Sequence, residues 1–212
     1  MSNYTEPHFT KSALITIDVQ NDFTLTGAPA EIAGTQEVIP NMASLLEIYR
    51  KKRLPIVHVI RLYSADGSNV DLCRRKIIEE GVTIVIPGSD GAELVNELKP
   101  DASIRIDADE LMAGKLQQIG NHEYMLYKSR WGAFYKTPLE TFLNEHEIDT
   151  LVFSGCNYPN CPRTSLFEAS ERDFRVVVVS DAMSQLYSKD KDELKNIHVS
   201  LFETKEIESL LD

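Results

Sequence analysis

The 212-residue sequence is short of cysteine, of positive charge and of long apolar runs, and each shortage removes a class of protein. Its three cysteines, Cys73, Cys156 and Cys161, form no even disulfide framework, and no second Cys or His pair completes a zinc pattern. Lys and Arg number 22 against 33 Asp and Glu, so the formal net charge is -11. Without clustered basic residues a phosphate backbone or an anionic membrane surface has nothing to bind, and the expected partner is a small molecule. No run reaches the length of a membrane span, and Met1 to Lys11 is polar, without the apolar core of a signal segment. A cytoplasmic protein with reduced thiols is the expectation. Repeats and low-complexity tracts are also lacking, and 42% hydrophobic residues suffice for one sizeable core, so residues 1–212 are read as one domain.

What the chain does contain is a series of short, continuous, β-branched runs. Ala13 to Ile17 and Leu54 to Ile60 flank a helical pattern from Val38 to Lys52, which is a βαβ signature. Met125 to Tyr127, Thr150 to Ser154, Val176 to Val179 and Val199 to Phe202 supply further strands. Helical stretches fall at Asp71 to Glu80, Pro138 to Glu145, Pro162 to Arg172 and Asp190 to Asn196. Continuous apolar strands indicate a parallel sheet covered on both faces: a three-layer α/β/α, Rossmann-like fold with a mostly parallel six-stranded sheet. The segment from Tyr63 to Asn121 reads as an excursion over the sheet edge. The first strand runs into Asp18-Val-Gln-Asn-Asp-Phe23 with no Gly-rich phosphate turn, which disfavours a dinucleotide-dependent oxidoreductase.

In open parallel sheets the ligand crevice lies outside the carboxyl ends of the strands. Asp18 ends the first strand, Lys128 follows Met125 to Tyr127, and Cys161 lies on the loop after Thr150 to Ser154, so all three can meet on one rim. Pro162 suits the first helical position, which puts Cys161 at a helix start, where backbone donors and the dipole favour a thiolate. A carboxylate can then move the thiol proton, and an ammonium can stabilise the thiolate. Taken singly, each residue also has a structural role open to it: Cys161 as a small core residue, Asp18 as a turn cap, Lys128 as a solvated surface lysine. Cys156, five residues before Cys161, is either a packed residue at a strand end or a redox partner.

Three blocks resemble the isochorismatase-like cysteine hydrolases, a superfamily that includes nicotinamidases, N-carbamoylsarcosine amidohydrolase and ureidoacrylate hydrolases. They are Ile15 to Phe23, Tyr127-Lys-Ser-Arg-Trp-Gly-Ala-Phe134, and Leu151 to Cys161 followed by Val176 to Ala182. The resemblance implies Asp18 as base, Lys128 as the third member and Cys161 as nucleophile of a catalytic triad. It further implies a cis peptide at Cys156-Asn157 that sets the Asn157 and Cys161 N–H groups as an oxyanion hole, and a homo-oligomer, dimer or tetramer. Phe23, Trp131 and Phe134 stand where relatives line the pocket, with core packing as the other role for each. Tyr158 is placed to cover a substrate held by Asn157 and Asn160, with stabilisation of the Pro-containing turn as the alternative for all three, and Arg61 and Arg163 to fork a substrate carboxylate, with an acidic residue of a neighbouring subunit as the alternative for Arg163. Nicotinamidases bind a divalent metal through Asp-x-His and a later His after the second strand, whereas here that region reads Val59-Ile-Arg-Leu-Tyr-Ser-Ala-Asp66, and His58 is expected in the core. No catalytic metal and no cofactor are therefore expected. The activity implied is cleavage of a C–N bond in a small amide, carbamoyl or ureido compound through a Cys thioester. An ether hydrolase of the isochorismatase type and a non-catalytic binding protein on the same fold are the alternatives.

Overall fold

The computed structural model describes residues 4–211. Its centre is a sheet of seven strands: β1 Ser12–Ile17, β2 Ile56–Ile60, β3 Leu116–Gly120, β4 Glu123–Tyr127, β5 Thr150–Gly155, β6 Arg175–Met183 and β7 Ser200–Phe202. The helices, in chain order, are α1 Asn21–Thr24, α2 Thr35–Lys52, α3 Leu72–Glu79, α4 Ala108–Met112, α5 Leu139–Glu145, α6 Cys161–Ser170, α7 Ser188–Asn196 and α8 Thr204–Leu211. The strand order is β3-β4-β2-β1-β5-β6-β7, parallel throughout except that β3 runs antiparallel to β4. The six strands expected from the sequence are all present. The seventh, β3, was not expected, because Leu116-Gln-Gln-Ile-Gly120 sits at the sheet edge with mostly half-exposed side chains and so carries no apolar run.

The burial of both faces explains the continuous apolar strands. Odd-numbered β1 residues Ala13, Ile15 and Ile17 join Leu151, Phe153, Val176 and Val178 under α5, α6 and α7, through Leu139, Phe142, Leu166, Ala169 and Leu194. The alternate residues Leu14, Ile56, Val152, Val177 and Val179 pack under α2 and α8, through Met42, Leu45, Leu46, Tyr49 and Ile207. One strand thus feeds two cores with a period of two, which makes three layers. The excursion after β2 builds a third cluster from Leu62, Tyr63, Val70, Ile84, Val85, Leu94 and Leu111, closed against Phe23, Met125 and Cys156.

Chain direction away from β1 reverses between β2 on one side and β5 on the other, so the ends of β1 and β5 flank the switch point of the sheet. Gly155 ends β5 with a φ of 127°, and a Cβ there would lie 2.4 Å from the Ile17 carbonyl oxygen. Only glycine lets the two strand ends approach this closely.

Candidate active site

Three strand ends deliver three charged or nucleophilic groups to one point. The Asp18 N–H extends the β1–β2 ladder onto the Val59 carbonyl at 2.9 Å, and the Lys128 N–H extends β4 onto the Ile60 carbonyl at 3.0 Å. Lys128 then reaches over the end of β2, and its Nζ donates to Asp18 Oδ2 at 2.8 Å. Both side chains are buried, and Asp18 holds a left-handed φ of 53°. Its other oxygen, Oδ1, is buried with no hydrogen-bond partner. Cys161, 3% exposed, begins α6 with Pro162 behind it, and the Cys156–Asn157 peptide is cis. Among the described residues neither the Asn157 N–H nor the Cys161 N–H donates to a backbone carbonyl.

The titration of this centre differs from the thiolate expected at a helix start. Burial pushes the Cys161 thiol above its ordinary value and the Asp18 charge pushes it further, while Lys128 and Arg61 pull the other way without prevailing. Burial would also raise Asp18, but Lys128 and Arg61 hold its carboxyl below the usual range. The resting pair is therefore a neutral thiol beside an ionised carboxylate. Cys156 is a free, buried thiol whose Sγ donates to the Asp18 carbonyl at 3.3 Å; it packs at the strand end, and burial pushes its titration up.

Arg61 is in this centre, but not as a free fork. It is fully buried; Nη1 donates to Asp71 Oδ2 at 2.7 Å and to the Ser129 carbonyl at 3.1 Å, and Nη2 points to Cys161 Sγ at 3.6 Å. The Tyr63 hydroxyl donates to the same Asp71 oxygen at 2.9 Å. Gln20, a residue the sequence did not single out, fixes the backbone of Arg61: its Oε1 accepts from the Arg61 N–H at 2.8 Å and its Nε2 donates to the Arg61 carbonyl at 2.8 Å. No group of three His, Cys, Asp or Glu able to hold a metal occurs among the described residues.

The aromatic expectations divide. Phe23 and Trp131 face the site, because the Arg74 guanidinium lies 5.7 Å from the Phe23 ring centre and 5.2 Å from that of Trp131, with Arg61 at 5.9 Å from Trp131. The Trp131 loop is pinned to the helix of the thiol: the Ala133 N–H donates to Ser165 Oγ at 3.0 Å, and that hydroxyl donates to the Cys161 carbonyl at 2.8 Å. Gly132 leaves room for the Glu168 carboxylate, which accepts from the Phe134 N–H at 2.9 Å. Phe134, by contrast, turns away from the thiol, pairing with Phe174 at 5.9 Å beneath Arg172. Tyr158 is fully buried, in the same core cluster as Cys161. Arg163 is not a substrate fork; it pairs with Glu193 of its own chain and lies 4.7 Å over the Phe167 ring, so no neighbouring subunit is needed to neutralise it. Asn157 and Asn160 bond each other at 3.0 Å, and Asn157 also donates to Gln185 at 2.8 Å, so both stabilise the loop before α6. His58 is a core residue as expected, bonded to Thr16 and Glu123.

Fold and site together define a three-layer α/β protein with a buried thiol, carboxylate and ammonium at the switch point of its sheet. The Isochorismatase domain model matches residues 12–200, and the chain belongs to the isochorismatase family, a hydrolase family with amidohydrolase members. The chain is similar to a probable inactive nicotinamidase of Arabidopsis thaliana, at 32% identity over 194 residues that cover 89% of this chain and 90% of that one. It is 27% identical to an N-carbamoylsarcosine amidase of Arthrobacter sp. over 168 residues, 79% of this chain and 57% of the amidase. The crystal structure of an isochorismatase family protein from Desulfovibrio vulgaris superposes with a TM-score of 0.80 at 31% identity, covering 95% of this chain and 98% of that one. No helix among the described residues is long and apolar enough to cross a membrane.

Proposed function

We propose that the protein is a metal-independent cysteine hydrolase that cleaves the C–N bond of a small amide, carbamoyl or ureido compound. The observation that carries this is the unpaired Oδ1 of Asp18, buried beside a neutral Cys161 thiol while Oδ2 is held by Lys128 at 2.8 Å. Asp18 is a carboxylate that Lys128 and Arg61 keep ionised, and the Cys161 thiol lies within hydrogen-bonding reach of it, which is what a general base for a thiol needs. Sγ of Cys161 attacks the carbonyl carbon as its proton passes to Asp18. The oxyanion is held by the Asn157 and Cys161 N–H groups, which have no backbone acceptor of their own. Collapse breaks the C–N bond, the Asp18 proton leaves with the nitrogen, and a thioester remains. Water, giving its proton to Asp18, opens the thioester; the C–S bond breaks and the thiol regains a proton. Arg61, 3.6 Å from Sγ, stabilises negative charge on the sulfur during attack.

The amidase relative supports C–N chemistry, and Arg61-Leu-Tyr63 supports a reaction without a divalent ion, since a guanidinium and a neutral phenol offer a metal no carboxylate or imidazole. Assembly into a dimer or tetramer of one-domain subunits in the cytoplasm belongs to the same proposal. The test is ammonia release from a panel of small amides and N-carbamoyl compounds, for wild type and Cys161→Ala, with and without chelator. Release that survives chelation and is lost in the variant is expected. Equal rates in both proteins, or no turnover of any compound, would sink the assignment and leave ether hydrolysis or binding alone.

A further inference from the structure

The charges around the thiol do not balance. Lys128 is matched by Asp18 and Arg61 by Asp71, each pair within 2.8 Å. Arg74, on the first turn of α3, has no carboxylate partner among the described residues: Nη1 donates to the Tyr63 hydroxyl at 3.1 Å, and burial holds that phenol neutral. With the Cys161 thiol neutral as well, the site keeps one uncompensated positive charge inside a chain whose net charge is -11. A half-buried guanidinium without a counter-ion is costly unless something anionic joins it.

Its position says what that something is. The Arg74 guanidinium spans the two aromatic walls, 5.2 Å from the Trp131 ring centre and 5.7 Å from that of Phe23, and shares the indole with Arg61. Arg61 is committed near the sulfur, so Arg74 addresses the far end of whatever lies over the thiol. The helix that carries it buries no residue of its own. It is tethered through Asp71, the buried residue preceding it, which accepts from Arg61 and Tyr63. Buried Arg61 Nε and Asp71 Oδ1 are both without partners, so the polar capacity at this end of the site is incomplete.

We propose that Arg74 is a specificity-determining residue that binds a carboxylate on the substrate, which makes the substrate an ω-amidated or N-carbamoylated carboxylic acid. This rests on the hydrolase proposed above and narrows its substrate class. A carboxylate there forms charge-assisted hydrogen bonds with Arg74 and cancels the surplus charge, with the flat carbon chain between Phe23 and Trp131 and the amide at Cys161. Neutral amides of the same shape lose that contact.

The test compares succinamate with succinamide, which are of the same length and differ in one charge. Trp131 is the single tryptophan of the chain, so intrinsic fluorescence reports binding at this wall without turnover. In Cys161→Ala, succinamate is expected to change the fluorescence at a concentration about 10–100-fold below that needed for succinamide. Arg74→Met keeps an apolar stem on the aromatic rings and removes the charge. In the Cys161→Ala background it is expected to erase the difference by weakening succinamate alone, and Arg74→Lys to restore part of it. In active enzyme the same substitution is expected to raise KM for succinamate at least tenfold more than it raises KM for succinamide. Equal affinity for the two compounds in wild type and Arg74→Met overturns the carboxylate site even if both are hydrolysed. Selective binding of succinamate with no hydrolysis by wild type leaves the site standing and overturns the hydrolase.

Discussion

The two buried charge networks at opposite ends of the same strands follow opposite rules. At the start of β4, Glu123 accepts from Arg50 Nε at 2.9 Å and Nη2 at 2.7 Å and from His58 Nε2 at 2.8 Å, while His58 Nδ1 meets Thr16 Oγ1 at 2.8 Å. Both oxygens of Glu123 and both ring nitrogens of His58 have partners, and no buried polar atom of this network is left without one among the described residues. At the carboxyl ends, Asp18 Oδ1, Arg61 Nε and Asp71 Oδ1 have none, though they are as deeply buried. A saturated network holds elements in register. An unsaturated one has been kept open at the expense of stability, and the groups left wanting are those a ligand can satisfy. Thr24, Ser154, Tyr158 and Arg175 also carry a buried polar atom without a partner, so it is the convergence of three such atoms on charged groups around one thiol that marks this end.

Substitutions at the two ends should therefore fail in different ways. The largest effect is expected from Asp18→Asn, which keeps the shape but removes the base: amide hydrolysis should fall about 10²–10⁴-fold in steady-state kinetics. A rate within threefold of wild type would mean that Asp18 is not the base. Glu123→Leu strands the Arg50 guanidinium and His58 in the core, and its cost should appear in urea melts as a loss of about 3–5 kcal/mol, with the rate per folded molecule unchanged. A selective loss of rate there would erase the contrast.

Acid gives a smaller, reversible version of the same experiment. Burial would raise Glu123, but hydrogen bonds and charges from Arg50 and His58 bring it down to about 2 from its ordinary 4.5. A carboxyl depressed on folding stabilises above its unfolded value and loses that contribution as pH falls toward its folded value. About 3 kcal/mol should disappear between pH 4.5 and 2 in urea melts, and that part of the pH dependence should be missing in Glu123→Gln. The smallest effect belongs to Arg163→Ala. Its pair with Glu193 is roughly 40% exposed on each side, so about 0.2–1 kcal/mol of stability is expected to go, with kcat/KM unchanged. A rise in KM would return Arg163 to the substrate site.

How much of this was legible in the chain depends on what each element needs in order to form. Strands β1, β2, β5 and β6 were readable because both their faces are buried, which forces runs such as Val176 to Val179. The edge strand β3, with Gln117 and Gln118 turned toward water, left no such mark. Helix α8 was also missed, although Ile207 completes the core against α2. Asp18, Lys128 and Cys161 were legible as strand-end residues in blocks that resemble a known family. Phe134 and Tyr158 lie in the same blocks and Arg163 two residues beyond one of them, and adjacency there does not fix direction, because neighbouring side chains leave a loop in different directions.

The order of elements, the parallel sheet, the rim on which the site sits and the identity of its three central groups were determined by the sequence itself, since local hydrophobic periodicity and the ends of strands are properties of contiguous residues. Three matters were decided only by the tertiary structure. Cys161 remains a thiol, because desolvation by the surrounding core outweighs the helix start. Arg61 is committed to Asp71 ten residues away, and Arg74 lies between Phe23 and Trp131 with the Tyr63 hydroxyl as its hydrogen-bond partner. Each depends on the distances between groups far apart in the chain, and it is those distances that set both burial energy and Coulomb energy.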